Sequence, residues 1–197
     1  MMSELVFDPV EHRYWIGSTE LPSVTTVLAG SGVVDTRAYA NTAGRAAASR
    51  GTMVHAACQY FDEGDLDFDT VAENLVPYVD AWRSYVTEAN PEMLLIEERV
   101  HSGKWGFAGT LDRLVNVGGK LTVLDIKTGA VVRQTGLQLA AYAMALEEMS
   151  GYKVEQRIAV HLRRSGAYSV ELYDDESERA VFLAALAVYR WKKRGER

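Results

Sequence analysis

The order of elements along this chain predicts an α/β (α+β) fold, a central mixed β-sheet flanked by helices, in one domain spanning residues 1–197. Three observations predict it. Residues 23–90 read largely as helix, strand-like runs take over from Met93, and a helix-period run separates the first three strands from a second pair. An N-terminal helical part, about 23–90, is expected to pack on a sheet core of about 93–175, with a closing helix over about 176–194. The 197 residues suffice for a full core, and 48% apolar with 24% charged residues is ordinary globular composition.

Each element has its own signal. The opening Leu5-Val-Phe-Asp-Pro-Val-Glu-His-Arg-Tyr-Trp-Ile-Gly17 breaks short apolar patches at Asp8-Pro9, predicting a small hairpin or edge strands. Ser23, just after Pro22, is the N-cap of a short helix stopped near Gly30. Alanine-rich residues 36–61 predict a helix, broken near Gly44 or Gly51. The acidic Glu63-Gly-Asp-Leu-Asp-Phe-Asp69 is a loop leading into helices across 69–89, with Pro77 at a kink or junction. Residues 93–101, 107–117 and 120–128 are strand-like, and Gly118-Gly119 is a hairpin turn signal joining the last two. Leu137, Leu139, Ala141, Tyr142, Met144, Ala145 and Leu146 recur at helical spacing within 133–149. A strand pair, 157–164 and 167–174, turns at Ser165-Gly166, and an amphipathic helix closes the chain. There is no internal repeat.

Composition excludes several functions. The lone Cys58 rules out an intrachain disulfide framework and a four-cysteine zinc or iron–sulfur site. No run approaches 18 apolar residues and the N-terminus lacks signal-peptide features, so a soluble cytoplasmic protein with no membrane partner is expected. The 21 basic and 27 acidic residues give −6. That sum hides an asymmetry: residues 62–98 hold eleven acids and one base, net −10, leaving +4 elsewhere. A polyanion meets the local field, not the sum.

The chemistry lies in the strand-like runs. In Leu121-Thr-Val-Leu-Asp-Ile-Lys127 a carboxylate and an ammonium share one face with Leu121 and Val123. Burying them costs several kcal/mol unless something compensates, or they form a self-contained pair at the strand end. Gly106-Phe-Ala-Gly-Thr-Leu-Asp112 brings a second carboxylate into an apolar run on the neighbouring strand. Carboxylates at close range repel unless they share a proton or a cation. Octahedral Mg²⁺ or Mn²⁺, one or two ions, is an economical solution, and a nearby lysine suits a phosphate oxyanion or a nucleophilic water. Cys58 lacks a basic neighbour, and there is no phosphate-binding glycine loop or dinucleotide fingerprint.

Gly109-Thr-Leu-Asp112, Asp125-Ile-Lys127-Thr128-Gly129 and Gln138-Leu-Ala-Ala-Tyr142, in that order, resemble the core of the PD-(D/E)XK nucleases. Gly51-Thr-Met-Val-His55 and Leu21-Pro-Ser-Val-Thr25 place the resemblance in the RecB-like branch with phage-type exonucleases, over about residues 11–145. The lone cysteine sets the chain apart from iron–sulfur members, and Leu111-Asp112 replaces the Pro-Asp of the family name.

The resemblance implies a restriction-endonuclease-like core and a divalent-metal-dependent deoxyribonuclease, an exonuclease acting on DNA ends in phage-type recombination or DNA processing. Asp112, Asp125, the Ile126 carbonyl and His55 would hold the metal, and Lys127 would position water and steady developing charge. Gln138 and Tyr142, one helical turn apart, would support the lysine or the substrate phosphate. Glu97 matches an acidic position of the family, but adjacent Glu98 leaves the register open. DNA contacts are expected from Arg45, Arg50, Lys104, Trp105, Arg113, Arg133, Arg163, Arg164 and the basic C-terminus. A single-strand annealing or recombination protein is the implied partner, in a bacterial or phage-infected cytoplasm. A structure- or sequence-specific endonuclease and an inactive DNA-binding module remain rival readings of the same core.

Overall fold

The computed structural model describes residues 5–34 and 41–195. It holds a three-stranded antiparallel sheet, β1 (Leu5–Asp8), β2 (Arg13–Ile16) and β3 (Thr19–Leu21), followed by α1 (Val24–Ser31), α2 (Thr42–Glu63), a 3-10 turn (Phe68–Thr70) and α3 (Val76–Ala89). The main sheet contains β4 (Glu92–Ser102), β5 (Phe107–Val117), β6 (Lys120–Lys127), β7 (Gln156–Leu162) and β8 (Tyr168–Leu172), ordered as in the chain. Helix α4 (Gln134–Ser150) links β6 to β7, and α5 (Ser177–Gly195) closes the chain. The sheet is mixed, as expected: β6 and β7 run parallel through the α4 crossover, and every other neighbouring pair is antiparallel.

The local signals explain most boundaries. The Ser23 hydroxyl accepts from the Thr26 N–H at 3.0 Å and starts α1; Gly32, rather than Gly30, ends it in the left-handed conformation. Gly118 and Gly119, at φ 59° and 78°, form the tight β5–β6 turn. Three expectations are sharpened or corrected. The N-terminal strands make a three-stranded sheet, tied to β5 by a Ser23–Ala108 bridge, because a third strand follows Gly17. Helix α2 is unbroken: Asn41 accepts the Gly44 N–H at 2.7 Å, so that glycine lies in a capped first turn. Pro77 lies in the first turn of α3, where its missing N–H costs nothing, so of the two expected roles it marks the junction at which the helix begins and not a kink. The part of the expected 36–61 helix before Asn41, like Glu196 and Arg197, lies outside the described residues.

The sheet separates two cores. On one face α1, α4 and α5 enclose Val27, Leu111, Val123, Leu139, Tyr142 and Phe182. On the other, α2 and α3 enclose Val54, Trp82, Leu124, Ile126 and Val160. Most of the acidic segment, through Glu88, accordingly belongs to the α2–α3 side and the basic end of α5 to the opposite side.

Candidate metal-binding active site

The site forms where β5 and β6 stop pairing. Their ladder ends at Arg113–Leu124, and the Asp112 carboxylate takes over: its Oδ2 accepts the Ile126 N–H at 2.7 Å. Helix α2 brings His55 from the other layer, with Nε2 2.8 Å from the Ile126 carbonyl oxygen and Nδ1 3.4 Å from Asp112 Oδ2. Glu97 arrives from β4. Its φ of 49° is the left-handed region, costly for a non-glycine residue, and such strain persists only where the surroundings enforce it. The ligand atoms of His55, Glu97 and Asp112 all lie within 4.8 Å of one another. Glu98 pairs in register with Leu111, which resolves the ambiguity left by the sequence toward Glu97.

Asp125 and Lys127 follow on β6. Lys127 Nζ lies 2.7 Å from Asp125 Oδ2 and donates to Gln138 Oε1 at 3.2 Å; Gln138 Nε2 in turn donates to the Tyr142 hydroxyl at 3.1 Å. The other oxygen of Asp125, Oδ1, is buried with no hydrogen-bond partner among the described residues. Tyr142 fits because residue 109 is glycine: a Cβ there would lie 2.6 Å from its ring.

Charge crowding sets the titration. Burial raises Asp125 to about 6, with Lys127 opposing and Asp112 reinforcing the shift. Burial and the Asp112 charge raise Glu97 to about 7. Burial works against ionised Asp112, but the His55 imidazolium, Lys127 and the Ile126 N–H outweigh it and hold the carboxyl at about 2. Burial likewise opposes the His55 cation, yet Asp112 and Asp125 lift it to about 9. Lys127 is raised above its ordinary value, since Asp125 and Asp112 overcome its own burial. Buried carboxylates crowded against one another and an orphaned carboxylate oxygen are the condition a divalent cation relieves. The donor set, carboxylate oxygens, one imidazole and a backbone carbonyl, fits Mg²⁺ or Mn²⁺.

The expected DNA contacts do not gather here. Arg113 is a correction: it is fully buried, donating to Asp62 Oδ2 at 2.7 Å, Glu97 Oε1 at 3.0 Å and the Asp112 carbonyl at 2.6 Å, and no phosphate reaches it. Asp62, itself held by Trp82 Nε1 at 2.8 Å, is the residue that sequence reasoning missed, having been counted only among the eleven acids of residues 62–98. Its position seven residues after His55, on one face of α2, was the available signal. Lys104 stacks over Trp105 on the β4–β5 turn, 4.9 Å from the ring centroid. Arg50 and Arg164 line a small cleft with Asn74 and Tyr78. Arg163 donates to Ser169 Oγ at 3.2 Å, Arg133 lies at the start of α4, and Arg45 is exposed in the first turn of α2.

Comparison with known proteins follows this geometry. No curated protein shows significant sequence similarity to the chain. Among solved structures, it is similar to a candidate exonuclease of Eubacterium rectale, with 10% identity, a TM-score of 0.49 and coverage of 74% of this chain and 65% of that one. The chain thus spans less than two thirds of that protein's length. LHK-Exo in complex with dAMP gives 18% identity, a TM-score of 0.40 and coverage of 89% and 93%. A second structure of this alkaline exonuclease, from Laribacter hongkongensis, gives 15% identity, a TM-score of 0.36 and coverage of 88% and 92%. The family model for the PD-(D/E)XK nuclease superfamily matches residues 32–190. That span includes His55, Glu97, Asp112, Asp125 and Lys127 and most of the chain, and the chain belongs to the PD-(D/E)XK nuclease superfamily.

Proposed function

We propose that the chain is a Mg²⁺- or Mn²⁺-dependent deoxyribonuclease that hydrolyses phosphodiester bonds from DNA ends. The observation that carries this reading is the convergence of His55, Glu97 and Asp112 beside the buried Asp125–Lys127 pair. His55, Glu97, Asp112, Asp125 and the Ile126 carbonyl would hold the metal. Bound there, the cation supplies Lewis-acid stabilisation of phosphoryl oxygens and lowers the pKa of water. The rest falls to the chain's own groups. Asp125 and Gln138 aim the Lys127 ammonium, which stays charged at neutral pH and faces the developing oxyanion. Tyr142 fixes Gln138, and Arg113 fixes both Glu97 and the Asp112 backbone. A role in phage-type recombination, beside a single-strand annealing protein in a cytoplasm, follows from the resemblance to that branch.

The test uses end-labelled linear duplex and closed circular DNA. Hydrolysis of linear DNA with Mg²⁺ or Mn²⁺ is expected, with none in EDTA and little on circles. Asp112→Asn and Lys127→Ala should each lower kcat by about 10²-fold or more. Activity in chelator, or equal activity of all three proteins, sinks the metal-nuclease reading. Efficient cutting of circles replaces the end-acting reading with an endonuclease.

A further inference from the structure

We propose that the trough between the N-terminal sheet and the basic end of α5 is the track along which a nucleic-acid strand lies as it reaches the metal cluster. The inference rests on the nuclease reading and adds the surface that holds the strand.

Two clefts meet to make this trough. One, of 640 Å³, contains the cluster itself: His55, Glu97, Asp112, Gln138 and Tyr142 line it, together with Tyr14 and His12. The other, of 900 Å³, runs between β2–β3 and α5 and is lined by Arg13, Tyr189, Arg190, Lys193 and Arg194. His12 and Ser23 line both, so the two clefts adjoin there. His12 is held at this junction: its φ is 52°, and its ring packs edge-on against Phe7 at 5.3 Å and Tyr14 at 5.8 Å.

The far wall is fixed and cationic. Arg190 donates to the Trp105 and Gly106 carbonyls, tying α5 to the β4–β5 turn. Lys192 donates to the Gly30 and Ser31 carbonyls at 3.2 and 2.9 Å, tying α5 to the end of α1. These two contacts hold the helix turn that presents Lys193 and Arg194 to the trough. The acids in the cleft beside α5, Glu11 and Glu20, lie 3.9 and 3.8 Å from Arg13, and Arg190, Lys193 and Arg194 leave that cleft net positive. Most of the acids of residues 62–98 lie on α2, α3 and the turns between them, on the other side of the sheet, while the cleft beside α5 carries four bases against two acids, so the field there favours a phosphodiester backbone.

Fluorescence anisotropy of a labelled single-stranded oligonucleotide, in EDTA, tests the track without requiring hydrolysis. The chain is compared with Lys193→Glu/Arg194→Glu, with the milder Lys193→Ala/Arg194→Ala, and with Lys120→Glu/Lys153→Glu. The last pair makes the same change in net charge at exposed positions near the start of β6, away from Asp125 and Lys127. Circular dichroism confirms folding. The trough reversal is expected to weaken binding at least ten-fold and to lower the salt slope by about one to two, the alanine pair by less, and the remote reversal to change neither. Equal weakening by the remote reversal, unchanged binding in both trough variants, or no binding by the unmodified chain overturns the track. Absence of hydrolysis with intact, trough-dependent binding overturns the nuclease reading and leaves the track standing.

Discussion

Arg113, expected as a DNA contact, is instead an interior residue. Its guanidinium joins Asp62, Glu97 and the Asp112 carbonyl in a dry interior, so its loss would leave carboxylates without compensation. Arg113→Met is expected to destabilise the fold by about 3–5 kcal/mol in urea unfolding, with partial recovery when Asp62→Asn is added. Full stability in the single variant would refute that account. Cys58 makes a second prediction. Burial pushes its thiol well above the ordinary value, so the folded state disfavours the thiolate. A raised pKa contributes stability below the unfolded thiol value, about 8.5, that declines as pH climbs past it. Ellman's reagent at pH 8 should therefore leave Cys58 unmodified until the chain unfolds, and prompt labelling of native protein would contradict this.

At the scale of elements, the Gly109–Tyr142 contact sets how closely α4 approaches β5. Gly109→Ala would place a methyl 2.6 Å from the ring, displacing Tyr142 and with it the Gln138–Lys127 chain. A displacement near 1 Å at a reacting centre costs about 10²-fold, and kcat is expected to fall by roughly that factor with far-ultraviolet dichroism retained. An unaltered kcat would dissociate Tyr142 from the lysine. The elements were legible where signals are local: Ser23 as a cap, Gly118-Gly119 as a turn, the apolar period of α4 as a helix. Register was not. Glu97 and Glu98 are indistinguishable by composition, and only the pairing of Glu98 with Leu111 and the left-handed backbone at Glu97 separate them. Nor could Gly44 and Gly51 reveal that the surrounding alanines would carry α2 through without a break.

At the scale of the molecule, the mixed sheet places most of the acidic segment with α2 and α3 and the basic end of α5 on the opposite side, which net charge could not convey. The same architecture orders events in time. Asp112 and Ile126 lie 14 residues apart across a tight turn, whereas His55 reaches Ile126 over 71 residues. Short loops close at small entropic cost, so the β5–β6 hairpin is placed to form early and α2 to dock late. In chevron measurements, Gly119→Ala is expected to slow folding, while Val54→Ala, at the docking face of α2, should mainly speed unfolding. The reverse pattern would place α2 in the nucleus. With the hairpin formed first, the chain passes through a stage that has paired carboxylates but lacks the histidine, so competence to hold a cation arrives only with the last docking step.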